Sequence, residues 1–232
     1  VFSGVGKTKV EIEYAIKKKI LLINAESKNE ILQIEKVARK YKTKVNVGIR
    51  LNPNTDAKTL SQISTGKKEN KFGVSDKVFL ALVKYVKKSK NLKLKCLSVH
   101  IGSQILDSKP YEKMLGILDR IIKKTKFNFE YIDLGGGMGI NYNNDKKTLN
   151  LDKYSNSIKK FLRKNKSKII LEPGRSIIGN TGILISKVIY NKEGYKKNFI
   201  IVDAAMNDLM RPALYNAKHQ IKPAIKNNSY TN

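Results

Sequence analysis

The sequence predicts an α/β fold, a (β/α)8 TIM-type barrel of which about six strand–helix units are present. Short apolar runs typical of buried strands alternate with amphipathic segments of helical period. Several of these runs also end in polar or glycine-rich clusters. Because ligands bind at the carboxyl ends of parallel strands, the clusters lie where such a fold places its chemistry.

The predicted elements follow one another in strict alternation. Val1–Gly4 has the character of a strand end, and Lys7–Lys18 that of an amphipathic helix. The other predicted strands are short apolar runs: Leu21–Ala25, Val45–Leu51, Leu94–His100, Tyr131–Leu134 and Ile169–Leu171. The other predicted helices have apolar residues at helical spacing or a capping residue such as Ser75: Asn29–Lys42, Asp76–Ser89, Pro110–Lys124 and Leu151–Lys164.

Two regions depart from this alternation. Asn52–Gly73 is long, polar and without periodicity, which favours a functional loop or lid. After Arg175, two further predicted strands, Gly182–Tyr190 and Asn198–Asp203, have no clear helix between them. We therefore expect a partial barrel domain over residues 1–178 and the start of a β-rich C-terminal domain over residues 179–232, together a piece of a longer protein.

The composition argues against several classes of protein. A hydrophobic content of 41% excludes wholesale disorder, and no apolar run approaches a membrane span. The single cysteine, Cys96, lies in an apolar strand and is best interpreted as a small buried hydrophobe, which fits a reducing, cytoplasmic setting. The net charge of +28 comes mainly from dispersed lysines. Codon bias explains these better than a specific nucleic-acid surface.

The triplet Gly135-Gly136-Gly137, directly after a predicted strand, is the most informative stretch of the chain. Glycines expose backbone N–H groups without a Cβ to keep a ligand away, which suits a phosphate. A tight strand-to-loop turn would require glycine as well. The triplet alone therefore leaves both interpretations open.

Three side chains at other strand ends are candidates for cofactor chemistry. Glu172 could hold a protonated ring nitrogen, or it could form a salt bridge with Arg175. Arg175 could itself bind a phosphate or a carboxylate. His100 would by default be structural, although the neighbouring hydroxyl of Ser103 favours a cofactor contact.

The segment Asp203–Tyr215 is the second informative stretch. Arg211 and Tyr215 lie four residues apart and could bind a substrate carboxylate, or they could belong to a solvated loop. His219 receives no role. No Cys/His cluster has the spacing of metal ligands, so no metal is expected.

Together these residues closely resemble the diaminopimelate decarboxylases of the alanine-racemase-like, pyridoxal-phosphate-dependent group. The order and approximate spacing of the motifs fit over nearly the whole chain. The matching stretches are Phe2–Thr8, Ile23–Ser27, Arg50–Pro53, Ser64–Gly66, Lys71–Gly73, His100–Gln104, Asp133–Gly139, Glu172–Arg175 and Asp203–Tyr215.

The resemblance implies a cofactor, pyridoxal 5'-phosphate, and a role for each matched residue. His100 would stack on the pyridine ring and Glu172 would pair with its nitrogen. Ser103, Gly135–Gly137 and the turn containing Gly174 and Arg175 would form the phosphate cradle. Arg175, Arg211 and Tyr215 would bind substrate. The implied reaction converts meso-2,6-diaminoheptanedioate to L-lysine and CO2 in a homodimer with a shared active site.

Two family motifs are absent from the chain. The Tyr-Ala-x-Lys-type motif that carries the Schiff-base lysine is missing, and Cys96 does not match the Cys-Glu-Ser motif. We therefore expect these residues alone to be inactive. The alternatives are decarboxylation of ornithine, arginine or carboxynorspermidine, a non-catalytic homologue that regulates an enzyme, and a basic nucleic-acid binder.

Overall fold

A parallel sheet of five strands forms the centre of the computed structural model, which describes residues 1–55, 71–142 and 148–225. The strands lie side by side in chain order and every neighbouring pair is parallel. They are β1 (Ile23–Ala25), β2 (Val45–Arg50), β3 (Leu92–Ser98), β4 (Tyr131–Asp133) and β5 (Lys168–Ile170). Phe2 adds a parallel bridge to Ile23, so the first predicted strand is present only as this bridge.

Helices connect the strands and cover the sheet. They are α1 (Lys9–Lys17), α2 (Lys28–Lys40), α3 (Asp76–Lys88), α4 (Lys109–Thr125) and α5 (Leu151–Lys164). The predicted apolar side of α2 is buried, with Ile31 and Ile34 both at 0% exposure. Sequential parallel strands with a helix in each connection have the topology of a β/α barrel, which confirms the predicted fold class.

One continuous core lies between the sheet and the helices. It joins strand residues such as Val47, Leu97 and Ile132 to helix residues such as Phe79 and Tyr111. The strand sequences are runs of apolar residues because the side chains on both faces of a parallel sheet are buried. The Cys96 side chain is fully buried among them, as predicted. Burial raises the pKa of its thiol well above the ordinary value.

The long polar segment between β2 and α3 begins and ends at the same place. Leu51 and Val74 form a parallel bridge, and the Val74 N–H donates to the Arg50 carbonyl at 2.8 Å. Residues 56–70, which contain the Ser64–Gly66 motif, lie outside the described residues. The prediction of a lid over residues 52–73 therefore stays a prediction.

The region after β5 contains two short helices that the sequence did not predict, α6 (Arg175–Ile178) and α7 (Arg211–Tyr215). Between them lies an antiparallel pair, β6 (Val188–Lys192) and β7 (Phe199–Val202). The prediction that a strand begins at Gly182 is wrong. The Asp203 side chain accepts hydrogen bonds from the Ser186 hydroxyl and the Lys187 N–H, and these bonds end the ladder there.

None of the helices in the described ranges is long and apolar enough to cross a membrane. The same ranges hold no group of three or more His, Cys, Asp or Glu side chains that could bind a metal ion.

Candidate functional site

The candidate site lies at the carboxyl edge of the parallel sheet. Glu26 follows β1 directly and Arg50 ends β2, whereas His100, Gly135 and Glu172 each come two residues after their strand. Parallel strands direct their carboxyl ends to one edge, so residues far apart in the sequence meet there.

The glycine triplet is packed against the two neighbouring strand ends. A Cβ on Gly136 would lie 2.1 Å from the Glu172 carbonyl oxygen, and one on Gly137 would lie 2.3 Å from the Gly102 carbonyl oxygen. Gly135 and Gly137 also have φ of +65° and +90°, a backbone conformation that favours glycine. All three positions therefore require glycine for the backbone to approach its neighbours so closely.

His100 is held by the triplet in one tautomer. The Gly136 N–H donates to His100 Nδ1 at 3.1 Å, so this nitrogen carries no proton and the proton of the neutral ring lies on Nε2. Burial, with the nearby Arg50 guanidinium as a second cause, lowers the pKa of His100 to about 4. The imidazole is therefore neutral at pH 7.

Asp133 lies beneath the triplet with no exposed surface. Its carboxylate accepts hydrogen bonds from the Gly135 N–H at 2.9 Å, from Asn24 Nδ2 at 2.7 Å and from the Ser98 hydroxyl at 3.2 Å. Burial and the negative charge of Glu172 raise the pKa of Asp133 to about 6, and the three donors act in the opposite direction.

Glu172 is connected to this buried network through Ser3. Asn24 Nδ2 donates to Ser3 Oγ at 3.1 Å, and the Ser3 hydroxyl donates to Glu172 Oε1 at 3.1 Å. The Glu172 N–H also donates to the Gly135 carbonyl at 2.8 Å. The hydrogen bond from Ser3 holds the Glu172 carboxylate in place. Glu172 is also exposed, so this carboxylate is accessible to a ligand.

Arg175 pairs with Gln104 and forms no ion pair with Glu172 or any other carboxylate of the described residues. Its Nη1 donates to Gln104 Oε1 at 3.0 Å. The predicted alternative of a Glu172–Arg175 salt bridge is therefore wrong. Gly174 is the N-cap of α6, directly before Arg175, and Ser103 lies half-buried beside Gln104.

Arg211 reaches the site from the C-terminal region through Tyr142. Its Nη1 donates to the Tyr142 hydroxyl at 2.8 Å, and its guanidinium lies 5.0 Å from the centre of the Tyr142 ring. Tyr215 ends α7, half-buried. Among the described residues the structure shows no hydrogen bond between Tyr215 and the other candidate residues. The sequence reasoning missed Tyr142, since no motif or spacing singles it out.

The sequence reasoning also gave no separate role to Ser3, Asn24 and Asp133. All three lie in stretches that carry the resemblance. The position of Asp133 at the end of a predicted strand is a signal by which the sequence could have identified it. A Cβ on Gly48 of β2 would lie 1.9 Å from Asn24 Oδ1, so that glycine makes room for the buried amide.

The architecture places the chain in the class of β/α barrel proteins, which bind ligands at the carboxyl edge of the parallel sheet. Within that class, residues 1–179 match the family model "Pyridoxal-dependent decarboxylase, pyridoxal binding domain". The chain belongs to this family, whose cofactor is pyridoxal phosphate.

Individual relatives show which members of this family the chain is similar to. The chain is 43% identical over 227 residues to the diaminopimelate decarboxylase of Aquifex aeolicus, covering 96% of this chain and 54% of that protein. It is 45% identical over 225 residues to that of Helicobacter pylori, covering 96% of this chain and 55% of that protein. The chain therefore spans just over half the length of these relatives.

A solved structure shows the same similarity. The crystal structure of diaminopimelate decarboxylase from Helicobacter pylori complexed with L-lysine superposes with a TM-score of 0.92 at 43% identity. The match covers 98% of this chain and 58% of that chain.

The residues present fit a pyridoxal phosphate group. The triplet packs so closely against the neighbouring strand ends that no side chain fits, and its Gly135 and Gly136 N–H groups donate to Asp133 and His100 and thereby fix both side chains at the site. Next to it lie a neutral, planar imidazole and a fixed, accessible carboxylate, donors and acceptors that suit an aromatic ring with a protonated nitrogen.

Proposed function

We propose that the full-length protein catalyses the pyridoxal-phosphate-dependent decarboxylation of meso-2,6-diaminoheptanedioate to L-lysine and CO2, the last step of lysine biosynthesis. One observation of the structure carries the choice of substrate. Two guanidinium groups, those of Arg175 and Arg211, lie near the same Tyr142 ring and are held by neutral partners. A substrate with a second carboxylate needs such donors, whereas a plain diamine precursor does not.

The cofactor is held by residues from three strand ends. Gly135–Gly137, Ser103 and the turn containing Gly174 and Arg175 bind its phosphate. His100 would stack on its ring, and Glu172 would accept a hydrogen bond from its ring nitrogen. When bound, pyridoxal phosphate supplies an electron-withdrawing ring that accepts the electron pair released as CO2 leaves.

The chain's own residues prepare this chemistry by fixing charges. Ser3 holds one oxygen of Glu172, which leaves the other oxygen for the ring nitrogen. Because His100 is neutral, it would contact a protonated ring without adding a second positive charge next to it. Arg175, Arg211 and Tyr215 bind the carboxylate at the end of the substrate that does not react.

The full-length protein is a homodimer of the cytoplasm, with a shared active site and a small amino acid as its substrate. Residues 1–178 belong to the barrel, and residues 179–232 begin the β-rich domain. The end of the family match at residue 179 and the antiparallel pair that follows support this division. The apolar side chains of that pair are exposed, Ile200 at 68% for example, which supports contact with further protein.

The full-length protein, loaded with pyridoxal phosphate, should release L-lysine from meso-2,6-diaminoheptanedioate. Absorbance of the bound cofactor is recorded first, and CO2 release is then compared for meso-2,6-diaminoheptanedioate, ornithine, arginine and carboxynorspermidine. Faster turnover of any of the other three would contradict the proposed substrate. A protein that binds no cofactor would contradict the enzymatic function altogether and favour a regulatory homologue.

A further inference from the structure

Tyr142, which follows the glycine triplet along the chain, lies at the centre of a cluster of cationic and aromatic side chains. Arg211 donates to its hydroxyl at 2.8 Å and lies 5.0 Å from its ring centre. The Arg175 guanidinium lies 5.9 Å from the same ring centre. The His219 ring packs against Tyr142 nearly at right angles, with the ring centres 5.5 Å apart. One aromatic ring therefore contacts both arginines.

Within the part of the chain that the structure describes, neither arginine is paired with a carboxylate. Over the residues that the structure describes, Arg211 is hydrogen-bonded to a phenol and Arg175 to an amide, and neither forms an ion pair. A guanidinium has five N–H donors, so each arginine keeps further donors for an anion. An aromatic ring attracts a guanidinium without neutralising it.

The segment that carries Tyr142 is fixed by Gln104. Gln104 Nε2 donates to the Ile140 carbonyl at 2.6 Å, and the Ile140 N–H donates to Gln104 Oε1 at 3.2 Å. The same oxygen accepts from Arg175. Gln104 thus fixes both Arg175 and the backbone two residues before Tyr142.

We propose that Tyr142 is a positioning residue that orients the guanidinium groups of Arg211 and Arg175 toward the carboxylate at the non-reacting end of the substrate. The hydroxyl holds one N–H of Arg211, and the ring stabilises both cations. This inference rests on the proposed function, because it assumes a substrate that carries a second carboxylate.

The test compares two ligands that differ by that carboxylate, L-lysine and cadaverine. Their Kd values are measured by calorimetry on the full-length, cofactor-loaded protein, as wild type, Tyr142→Phe and Tyr142→Leu. We expect lysine to bind about 3-fold more weakly to the Phe variant and about 10- to 30-fold more weakly to the Leu variant. Cadaverine affinity should stay within about 2-fold, since it lacks the group that the arginines bind. Tyr195→Leu, at a side chain that is 99% exposed, is the matched control.

Kinetics separate positioning from a general loss of structure. In Tyr142→Leu the KM for meso-2,6-diaminoheptanedioate should rise as the lysine Kd does, with kcat little changed. Arg211→Ala sets the upper limit of the part of the effect that acts through Arg211.

Equal weakening of lysine and cadaverine in Tyr142→Leu would overturn the positioning role, and so would unchanged lysine affinity. Both results are read against a wild type that releases lysine. A wild type that releases no lysine and binds it no better than cadaverine would overturn the proposed function, and the positioning role with it.

Discussion

At the scale of single residues, the site shifts the pKa values of two buried groups in opposite directions. The pKa of Asp133 is raised from 3.8 to about 6, whereas that of His100 is lowered from 6.5 to about 4. Between about pH 4 and 6 the folded protein thus binds an additional proton at Asp133 and lacks one at His100, relative to the unfolded chain. By linkage, Asp133 makes stability fall as pH rises, and His100 makes it rise. The two effects largely cancel.

Replacing His100 should therefore expose the pH dependence of Asp133. In the wild type, the unfolded chain binds a proton at His100 as pH falls from 6.5 toward 4 and the folded protein does not, so the folded state becomes less stable. In His100→Gln of the cofactor-free full-length protein, this loss of stability does not occur. The pH-dependent contribution of His100 to the free energy of unfolding is about 3 kcal/mol at most. The difference in Tm, wild type minus variant, should grow as pH rises from about 4 to 7. A difference that is constant over this range would contradict the assignment of a neutral, buried imidazole.

The cradle glycines should tolerate no side chain. Gly137→Ala would place a Cβ 2.3 Å from the Gly102 carbonyl oxygen at a φ of +90°, so backbone must move. We expect a loss of at least about 2 kcal/mol in the free energy of unfolding and weaker pyridoxal phosphate binding, followed by denaturation and cofactor absorbance. Gly116→Ala within α4 is the control. Its Cβ would meet nothing within 4 Å, and helix propensity favours alanine by about 1 kcal/mol. Equal effects of the two substitutions would contradict the account of the cradle.

At the scale of elements, two serines at helix N-termini differ in their hydrogen bonding. Ser27 Oγ accepts from the Glu30 N–H at 3.1 Å at the start of α2, whereas Ser75 forms no side-chain cap bond at the start of α3. Ser27→Ala should therefore cost about 1 kcal/mol of stability and Ser75→Ala clearly less. Urea unfolding of the two variants measures this directly. A larger loss for Ser75→Ala would contradict the assignment.

The sequence predicted the helices and parallel strands well because local periodicity and burial determine them. α5 was placed at Leu151–Lys164, where the structure has it. Ser75 stands at the predicted N-cap position of α3, but its side chain forms no capping hydrogen bond. The strand predicted from Gly182 failed because a contact distant in sequence, that of Asp203 with Lys187, sets where the ladder ends. The short helices α6 and α7 carry too few residues to show a period.

At the scale of the whole molecule, the candidate site depends on contacts between distant segments. Hydrogen bonds from Asn24 to Ser3 and to Asp133 join the N-terminal segment to β1 and β4, and a hydrogen bond joins Tyr142 to Arg211 of α7. A sequence pattern can show that His100, the glycine triplet and Glu172 occur at strand ends. It cannot show which polar neighbours connect them, because these partners lie up to 169 residues apart, as Ser3 and Glu172 do.

The central claim is that Glu172 accepts a hydrogen bond from the ring nitrogen of the cofactor, and one measurement tests it most directly. It is kcat for lysine release from meso-2,6-diaminoheptanedioate by full-length wild type and Glu172→Ala, each saturated with pyridoxal phosphate, together with the cofactor Kd. We predict that kcat falls about 100-fold or more while the cofactor Kd changes less than about 10-fold, because the phosphate cradle stays intact. Unchanged turnover in Glu172→Ala would contradict the account.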